Sequence, residues 1–592
     1  MAKKEKNASL FRIMSVISKL TFKCWPLTFS FYLILGLIYG IMTGAIAWVM
    51  QFAFDAVTEL AAGSRHIQAT IFPVIIFILF MSVQKVIDRV RIYYLNSIGV
   101  RMHGFMFKEV SKKSEKLDPI LFEHPKMLDD IERASDAAPQ AFWTSDLLLT
   151  IFIVDLPLII IMSAYLYTLN PQLIFVMVLS FVPKVIGLAI RGKLYTNLAE
   201  KSAPLRREFS FYEEALVDRQ YFKETRILGI FDFFKEKLLK SVCLLNRETW
   251  KADSRAATFD LVSEILMMLS YLGILYLLFI SLQSGFITVG AFAAVFASMN
   301  VLHRRLDILI SYQLANVIEN IGQIGYLVKF FDLPEKISEN IEVNWQGDIE
   351  FKNVRFTYPN AKKASLNDLS LTIHAGETVA IVGSNGAGKS TFTKLLMGLY
   401  EPTSGEIIIA GQNIKGIAPK ELYKGVSAVF QQYQRYQLTL EENISISDIS
   451  EPNNIHSVME QSGVDSNPRS YPEGLDTMLS REFDGVDLSG GQWQRIAIAR
   501  GLYRHHDLIV LDEPTAAIDP LEEKNLYEKF AEISKDKTAI IVTHRLGSAQ
   551  IADKIIVLND GEIVEIGTHQ ELLESKGSYA KMYEAQAKWY MV

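Results

Sequence analysis

A glycine-rich stretch in the second half of the chain has the residue types and spacing that hold a phosphate. Residues 381–390 read IVGSNGAGKS and fit the phosphate-loop pattern G-x-x-x-x-G-K-[ST] at every fixed position. The apolar run 378–382 predicts a strand before the loop, and residues 391–397 predict a helix after it, which is the context that this motif needs. The predicted chemistry is therefore nucleotide binding.

Four kinds of group in this loop would bind the phosphates and their metal. Glycines free backbone N–H groups to wrap an anion, the helix N-terminus adds a partial positive charge, and Lys389 adds a full one. The hydroxyl of Ser390 would hold Mg²⁺. The residues assigned to the phosphates of ATP are Gly383, Ser384, Asn385, Gly386, Ala387, Gly388, Lys389, Ser390 and Thr391.

A second candidate lies at 508–513, where the apolar run LIVL ends in two carboxylates. Asp512 suits the Mg²⁺ shell, and Glu513 suits polarisation of the attacking water. The alternative, an ordinary strand with an acidic end, is disfavoured by the phosphate loop upstream. The chain is therefore expected to hydrolyse its nucleotide.

The motif LSGGQ at 488–492 opens a predicted helix at 493–500 and makes a second anion-binding helix N-terminus in the same half of the chain. One domain cannot close both N-termini on a single ATP. Two copies arranged head to tail can, with Ser489 and Gly491 of one copy facing the phosphates held by the other. This motif therefore predicts a dimer.

The composition indicates two differently built halves. The 592 residues are 50% hydrophobic, yet they include 60 Lys and Arg and 66 Asp and Glu, too many for a chain that lies in a membrane throughout. The net charge of −6 gives no basis for nucleic-acid binding, so no nucleic-acid partner is expected. Cys24 and Cys243 are far apart and match no metal spacing, as expected of unpaired thiols in a reducing compartment.

The first half carries apolar stretches that match the roughly 20 residues needed to span a bilayer. Residues 9–20 space apolar side chains around Lys and Arg as an interfacial helix does. No short apolar core with a small-residue cleavage site follows the charged start, so the first hydrophobic segment is expected to be retained. The six predicted spans lie at about 27–55, 68–95, 143–168, 171–191, 258–283 and 286–312.

The connections between these segments alternate in length. The short ones, 1–2, 3–4 and 5–6, are placed outside, and the long basic ones, 2–3 and 4–5, in the cytoplasm. Because the long connections keep helical periodicity, the helices are expected to continue as stalks beyond the membrane. Their turns are predicted near 122–125 and 209–214, where aromatic side chains would either dock into a groove or pack between helices.

The composition changes at 331–336, and no later stretch is long enough to span a bilayer. We therefore predict a transmembrane domain at 1–331, a linker at 332–345 and a nucleotide-binding domain at 346–592. In the last part, short β-branched runs alternate with amphipathic helices, which predicts a largely parallel sheet. The expected fold class is an all-α membrane domain followed by an α/β P-loop ATPase domain.

In this order, and after six predicted spans, the three motifs at 383–390, 488–492 and 508–513 resemble an ABC transporter of the exporter type over almost the whole chain. The resemblance implies stacking of Tyr358 on adenine, a Q-loop glutamine at Gln431, a D-loop aspartate at Asp519 and a switch histidine at His544. It also implies three sets of site residues: catalytic Glu513, His544 and Gln431; metal-binding Ser390, Gln431 and Asp512; and Ser489, Gly490, Gly491 and Gln492, which approach ATP from the second copy.

Two stretches depart from the family pattern. The run before LSGGQ, SREFDG at 480–485, does not place its glutamate where such exporters usually have it, so Glu482 is given no coupling contact. The D-loop reads AAID at 516–519 where SALD is usual. Because Glu513 and His544 are both intact, a homodimer with two identical ATP sites is the simplest assembly.

The resemblance implies an ATP-driven exporter that works by alternating access in the bacterial inner membrane, with its ATPase domain in the cytoplasm. The glutamine-rich stretch 430–436, the long stalks and the absence of an N-terminal protease domain are similar to exporters of peptide antibiotics such as lantibiotics. A lipid flippase or a multidrug exporter remains an alternative. From another class, a membrane-anchored regulatory ATPase without cargo would show hydrolysis indifferent to every candidate substrate.

Ionisable residues lie inside the predicted spans, where a charge is costly unless it is paired or faces water, and Asp155 and Lys184 are the clearest. Asp155 is in the third span and Lys184 in the fourth, each about fourteen residues from the turn near Asn170. At about 1.5 Å per residue, both would lie roughly 20 Å below that turn. We therefore predict that they pair, either as a static ion pair or as one that breaks when the helices separate.

Overall fold

The computed structural model describes residues 10–336, 338–359, 361–449, 454–465, 467–513, 529–530, 534–535 and 537–590. The chain divides into two compact units, the first joining Met1–Glu115 with Asp129–Leu333 and the second joining Lys116–Leu128 with Pro334–Val592. The division after Leu333 lies within the stretch predicted as a linker. The short segment 116–128, which the sequence places in the membrane half, belongs to the second unit.

The first unit is helical. In chain order the helices are α1 Leu10–Cys24, α2 Pro26–Ala61, α3 Ile67–Glu115, α4 Pro125–Thr150, α5 Leu156–Leu169, α6 Pro171–Val217, α7 Phe222–Ile227, α8 Phe231–Gln283, α9 Val289–Asp307 and α10 Ala315–Asp332. Two π-helical segments interrupt this series: Ile151–Asp155 joins α4 to α5, and Ile308–Leu314 joins α9 to α10.

Capping residues at short turns explain where two of these helices begin. The side chain of Asn170 accepts a hydrogen bond from the N–H of Gln172 before α6, and Pro171 occupies the first helical position. The side chain of Thr288 accepts from the N–H of Ala291 in the same way before α9. Connections 3–4 and 5–6 are therefore short, as predicted.

Among the residues that the structure describes, five helices are long and apolar enough to cross a membrane, judged by length and composition: Pro26–Ala61, Ile67–Glu115, Asp130–Leu169, Pro171–Tyr195 and Phe231–Gln283. They coincide with the first five predicted spans. The sixth predicted span, 286–312, falls on α9 and the π segment after it, where Arg304, Arg305 and Asp307 interrupt the apolar run. The count of six spans therefore stays a prediction.

Three helices extend far beyond the length of a span. Helices α3, α6 and α8 have 49, 47 and 53 residues, more than twice the roughly 20 that cross a bilayer. The prediction that helical periodicity continues through the long connections is thus confirmed. Their position in the cytoplasm stays a prediction.

The first predicted turn is confirmed and the second is wrong. A 3₁₀ helix, Pro119–Glu123, turns the chain immediately before α4 begins. By contrast, α6 runs on through 209–214 to Val217, and the chain turns only after Asp218, whose carboxylate accepts from the N–H of Gln220 at 2.9 Å. The aromatic pair at the predicted turn packs between helices: Phe211 and Tyr212 both contact the ring of Phe234 on α8.

The predicted pair of Asp155 and Lys184 is also wrong, although both residues are paired. Arg305 Nε lies 2.6 Å from Asp155 Oδ1, while Lys184 contacts Glu264 at 2.8 Å and also Asp307. Helix α9 therefore supplies a counter-charge to each. Because successive residues of a helix point about 100° apart, Arg305 and Asp307 leave α9 in nearly opposite directions and separate the two pairs.

The second unit is an α/β domain whose elements follow in chain order. The strands are β1 Ile349–Phe356, β2 Leu366–Ile373, β3 Thr378–Gly383, β4 Ser404–Ile409, β5 Gln412–Asn413, β6 Val426–Val429, β7 Leu508–Asp512, β8 Thr538–Val542, β9 Lys554–Asn559 and β10 Glu562–Gly567. The helices are α11 Lys389–Leu396, α12 Pro419–Leu422, α13 Leu440–Ser445, α14 Ile455–Ser462, α15 Gly490–Tyr503, α16 His569–Glu574 and α17 Ser578–Tyr590.

Two sheets form this domain. The larger has the order β10-β9-β3-β8-β7-β6, and its pairs from β9 to β6 are parallel, which confirms the predicted parallel sheet. The smaller sheet, β2-β1-β4-β5, is antiparallel and was not predicted. Buried side chains of both sheets pack with α11 in one core, and α13, α14 and α15 pack in a second. The carboxyl ends of β3 and β7 are thus held close across β8.

Candidate active site

The phosphate loop forms between β3 and α11 as predicted. A side chain at Gly383 would place its Cβ 2.2 Å from the carbonyl oxygen of Leu558, so glycine is required for this close approach. Gly388 caps α11 with φ at 102°, a left-handed conformation that favours glycine. Lys389 Nζ donates to the carbonyls of Gly383 at 2.9 Å and Ser384 at 3.1 Å, so the ammonium lies inside the loop.

At the phosphate loop, burial and the neighbouring charges shift the pKa of Lys389 in opposite directions. Burial lowers the pKa of Lys389, while the nearby carboxylates of Glu513 and then Asp512 raise it. Burial also raises the pKa of Asp512, and the charge of Glu513 raises it further. A hydrogen bond from Ser390 favours the ionised carboxylate of Asp512. The structure therefore brings together two of the three residues predicted to hold a metal.

The third, Gln431, reaches a different carboxylate. It follows β6, and its Nε2 donates to Glu513 Oε2 at 2.6 Å. His544 approaches the other oxygen of Glu513, with Nδ1 3.4 Å from Oε1. Glu513 itself has φ at 50°, a conformation that costs about 1–3 kcal/mol in a residue other than glycine and tends to occur at functional sites. All three predicted catalytic residues thus meet at the end of β7.

Tyr358 lies beside the helix that follows the phosphate loop. Its hydroxyl is 3.3 Å from Thr391 Oγ1, and its half-buried ring packs edge-on against Phe356 and Tyr400. These contacts hold the ring at one edge of the loop. An aromatic face at this position is suitable for stacking on a base.

The LSGGQ motif opens α15 with a capping box. Ser489 accepts from the N–H of Gln492 at 3.3 Å, and the Gln492 side chain accepts from the N–H of Ser489 at 2.9 Å. Ser489 is exposed, and α15 packs in the second core rather than in the core that holds the phosphate loop. The predicted helix N-terminus is therefore formed and faces solvent, with Gly490 and Gly491 in its first turn.

The two departures from the family pattern have different outcomes. Glu482 accepts a hydrogen bond from Gln437 Nε2 at 2.8 Å, a contact between two exposed side chains of the same unit. Asp519 and the rest of the D-loop lie outside the residues that the structure describes. The role of Asp519 accordingly stays a prediction.

A contact that the sequence did not predict holds the 116–128 segment to the ATPase fold. Ile120 packs against the core of the two sheets, and Glu123 accepts hydrogen bonds from Tyr400 and from Lys394, the latter at 2.9 Å. Lys394 lies on α11, the helix that begins with the phosphate-loop lysine. The sequence offered one signal for this contact, since Lys394 and Tyr400 follow shortly after the phosphate loop. Their partner, Glu123, is more than 270 residues away in the chain, so the pairing could not be predicted.

We expect Glu123→Gln to loosen this segment, because an amide cannot make the two charge-assisted bonds that the carboxylate accepts. Amide hydrogen exchange in 118–124 should accelerate about threefold to tenfold, a range that allows for the partial exposure of the contact. Glu406→Gln is the matched control, since Glu406 bonds Asn413 elsewhere on the same unit. Equal acceleration in the control would contradict the prediction.

The same contact predicts a pH dependence. Hydrogen bonds from Tyr400 and then from Lys394 lower the pKa of Glu123 from its ordinary 4.5. The stabilisation is therefore complete above pH 4.5 and is lost as the pH falls through the lowered folded value. Exchange of the 118–124 amides, corrected for the intrinsic rate, should rise over that window in the unaltered chain and stay flat in Glu123→Gln. A flat profile in both would show that the carboxylate does not hold the segment.

Comparison with known proteins agrees with this geometry. A family model described as ABC transporter matches residues 366–516. The subtilin transport ATP-binding protein SpaT of Bacillus subtilis is 30% identical over 93% of this chain and 90% of its own length. The nisin transport ATP-binding protein NisT of Lactococcus lactis is 27% identical over 94% of each chain.

Two further similarities differ in coverage. An ATP-dependent lipid A-core flippase of Photobacterium profundum is 34% identical over 58% of this chain and 59% of its own length. A solved bacterial Atm1-family ABC exporter with ATP bound has the same fold, with a TM-score of 0.77 at 23% identity, over 94% of this chain and 98% of that one. The chain belongs to the ABC transporter family, as an ATP-driven exporter in which apolar membrane helices precede a nucleotide-binding domain.

Proposed function

We propose that two copies of this chain export a peptide of the lantibiotic type across the bacterial inner membrane by alternating access, with the ATPase domains in the cytoplasm. The observation that supports the peptide is alignment along almost the whole chain with relatives named for subtilin and nisin transport. The flippase of Photobacterium profundum aligns over only 58% of this chain. A lipid flippase or multidrug exporter is therefore the second candidate.

Each ATP would be held by one copy at its triphosphate and adenine. Lys389 and the backbone N–H groups of 383–391 would bind the phosphates, and Tyr358 would stack on the base. Mg²⁺ suits oxygen ligands, and the Ser390 hydroxyl beside the Asp512 carboxylate offers two of them, with Gln431 as a third. The metal would neutralise charge on the β- and γ-phosphates.

Glu513 would polarise the water that attacks the γ-phosphate. Gln431 and His544 each contact one of its carboxylate oxygens, so they orient it from two sides. Gln431 would also be a ligand for the metal, and His544 would contact the γ-phosphate of bound ATP, while Glu513 would hold the water. Hydrolysis would then begin only when nucleotide and metal are both bound.

The second copy would complete the site. Ser489, Gly490, Gly491 and Gln492 of that copy would present their helix N-terminus to the phosphates, with Asp519 at the interface. Support comes from the exposed, fully capped helix N-terminus, which has no acidic residue in its first turn and lies in a domain whose phosphate loop is elsewhere. Two identical sites would result, as expected of a homodimer.

The turn between α6 and α8 offers a second dimer contact. Val217, Ile227 and Leu228 are 80%, 83% and 64% exposed, an apolar cluster that water disfavours. The ATPase unit has a cavity of about 260 Å³ whose lining includes Tyr423, Phe430 and Arg500. We propose that the turn of one copy docks at this cavity of the other. Movement of the ATPase domains would then be transmitted to the helices.

The third candidate, a regulatory ATPase without cargo, makes a distinct prediction about turnover. In lipid vesicles, we expect peptides of the lantibiotic type to raise ATPase activity with a saturable dependence on concentration, because substrate binding favours the state that closes on ATP. Lipids and hydrophobic drugs serve as the comparison panel. Stimulation by lipid alone would favour the flippase, and activity indifferent to every compound would favour the regulatory ATPase.

A further inference from the structure

Two π-helical segments lie within the first unit, and one cluster of side chains joins them. Asp155 is the last residue of Ile151–Asp155, Gln313 lies in Ile308–Leu314, and Arg305 lies one turn before that second segment. A π turn holds one residue more than an α turn, is rarely stable by itself and often occurs where a helix bends for a function. Two π turns on either side of the contact between Asp155 and Arg305 therefore require an explanation.

The contact between the segments is short and buried. Arg305 Nε donates to Asp155 Oδ1 at 2.6 Å, and the Asp155 side chain is only 1% exposed. The Gln313 side chain lies against the same carboxylate. Breaking a buried pair of this kind leaves an uncompensated charge, so the contact ties the two helices together strongly.

Three buried polar atoms of this cluster have no hydrogen-bond partner among the described residues: Asp155 Oδ2, Arg305 Nη2 and Gln313 Oε1. Two of them are acceptors and one is a donor. This set matches the hydrogen-bonding capacity of one water molecule, which can donate two hydrogen bonds and accept one. Buried waters usually occupy sites with two to four polar partners of this kind.

The opposite side of the first π segment packs differently. Gly36, Gly40 and Gly44 of α2 face it and the start of α5, and a Cβ at Gly40 would lie 2.6 Å from the carbonyl oxygen of Val154. Backbone lies against backbone at Gly40, while the side chains of Ile153 and Ile161 lie against Gly36 and Gly44. The glycines therefore let α2 approach this segment closely, while the polar cluster joins it to the helix that carries the second π segment.

We propose that Asp155, Arg305 and Gln313 enclose one water molecule and form a clasp that couples the two π segments as a shared hinge. On this proposal, α4–α5 and α9–α10 bend together at the clasp when the exporter changes state, which rests on the alternating access proposed above. Asp155 and Arg305 act as positioning residues. The neighbouring contacts of Lys184 with Glu264 and Asp307 lie outside the clasp and hold α6 to α8 and α9.

Removing one residue from either π segment tests the hinge directly. Phe152 and Tyr312 are 48% and 58% exposed, so deleting either one removes little packing and restores a regular α-helix with its flanks in register. Spin labels on the two copies of the full-length chain in lipid would report distances without nucleotide and with ATP trapped. We expect each deletion to retain ATP binding but to lose the distance change that ATP produces in the unaltered chain.

An undiminished distance change in both deletions would overturn the hinge. If the unaltered chain itself showed no change with ATP, alternating access would fail instead, so the two failures are distinguishable. A deletion that does not insert is replaced by the point variants Arg305→Gln and Gln313→Leu, which alter only the clasp.

The point variants test the coupling by hydrogen exchange, which needs no substrate. We expect Arg305→Gln to accelerate exchange about tenfold in 151–155 and in 308–314 alike, with a smaller joint effect in Gln313→Leu. Lys184→Gln, which removes a neighbouring cation that is paired with Glu264 and Asp307 and not with Asp155, should leave both segments unchanged. Acceleration confined to one segment, or equal acceleration in the control, would overturn the clasp.

The water has its own test in a high-resolution density map of the full-length dimer. We expect one density peak within about 3.2 Å of Asp155 Oδ2, Arg305 Nη2 and Gln313 Oε1. Direct hydrogen bonds among these three atoms, with no peak between them, would overturn the water site.

Discussion

Glu513→Gln should abolish ATP hydrolysis while leaving ATP binding intact, so that the dimer accumulates in a closed, ATP-loaded state. The amide cannot polarise water, and loss of one general base commonly lowers turnover by about 100-fold to 10,000-fold. The phosphate loop is untouched, because Glu513 contacts Gln431 and His544 and not the loop backbone. Turnover and nucleotide binding should be measured on the same preparation in lipid.

The matched control is Glu482→Gln. Glu482 is likewise a glutamate bonded to a glutamine side chain, here Gln437 at 2.8 Å, but it is exposed and lies away from the end of β7. We expect its hydrolysis to stay near that of the unaltered chain. Loss of nucleotide binding in Glu513→Gln, or undiminished turnover, would contradict the role proposed for Glu513.

Mixed dimers should locate the two halves of each ATP site in different copies. A dimer that joins a Lys389→Ala chain to a Ser489→Arg chain would place both lesions in one site and leave the other site intact. With Glu513→Gln added to both chains, the intact site should trap one ATP. Trapped nucleotide per dimer, counted after gel filtration, is the measurement.

The control for the mixed dimer carries the same substitutions in a different arrangement. When Lys389→Ala and Ser489→Arg are in one chain and the partner carries neither, head-to-tail assembly puts one lesion in each site. Trapping should then fall to background. If the two arrangements trapped the same amount, phosphate loop and LSGGQ motif would not come from different copies.

The nucleotide site was predictable because its motifs are local. A phosphate loop needs glycines where the chain must approach another backbone, and Gly383 beneath Leu558 is such a place. Asp512 and Glu513 end a strand whose apolar residues are consecutive, and His544 follows the neighbouring strand. Because the carboxyl ends of parallel strands meet at one edge of a sheet, the fold brings Glu513 and His544 together.

The second turn and the charge pairs were not predictable in the same way. Aromatic residues among charges at 209–214 fit a turn or a helix contact equally well, and only packing against Phe234 decided for the contact. Asp155 and Lys184 lie about equally far from Asn170, so depth alone suggested a pair. Periodicity gives the height of a residue along its helix but not the direction of the neighbour that it faces.

The sequence by itself determined the ATPase chemistry, the first five apolar segments and the continuity of the long helices, because each depends on residues close together in the chain. Only the tertiary structure decided which distant residues meet. It placed Glu123 against Lys394 and Tyr400, and it paired Asp155 with Arg305 across 150 positions. Such contacts depend on how helices and sheets pack, and a charge in the sequence does not specify which of many opposite charges will lie beside it.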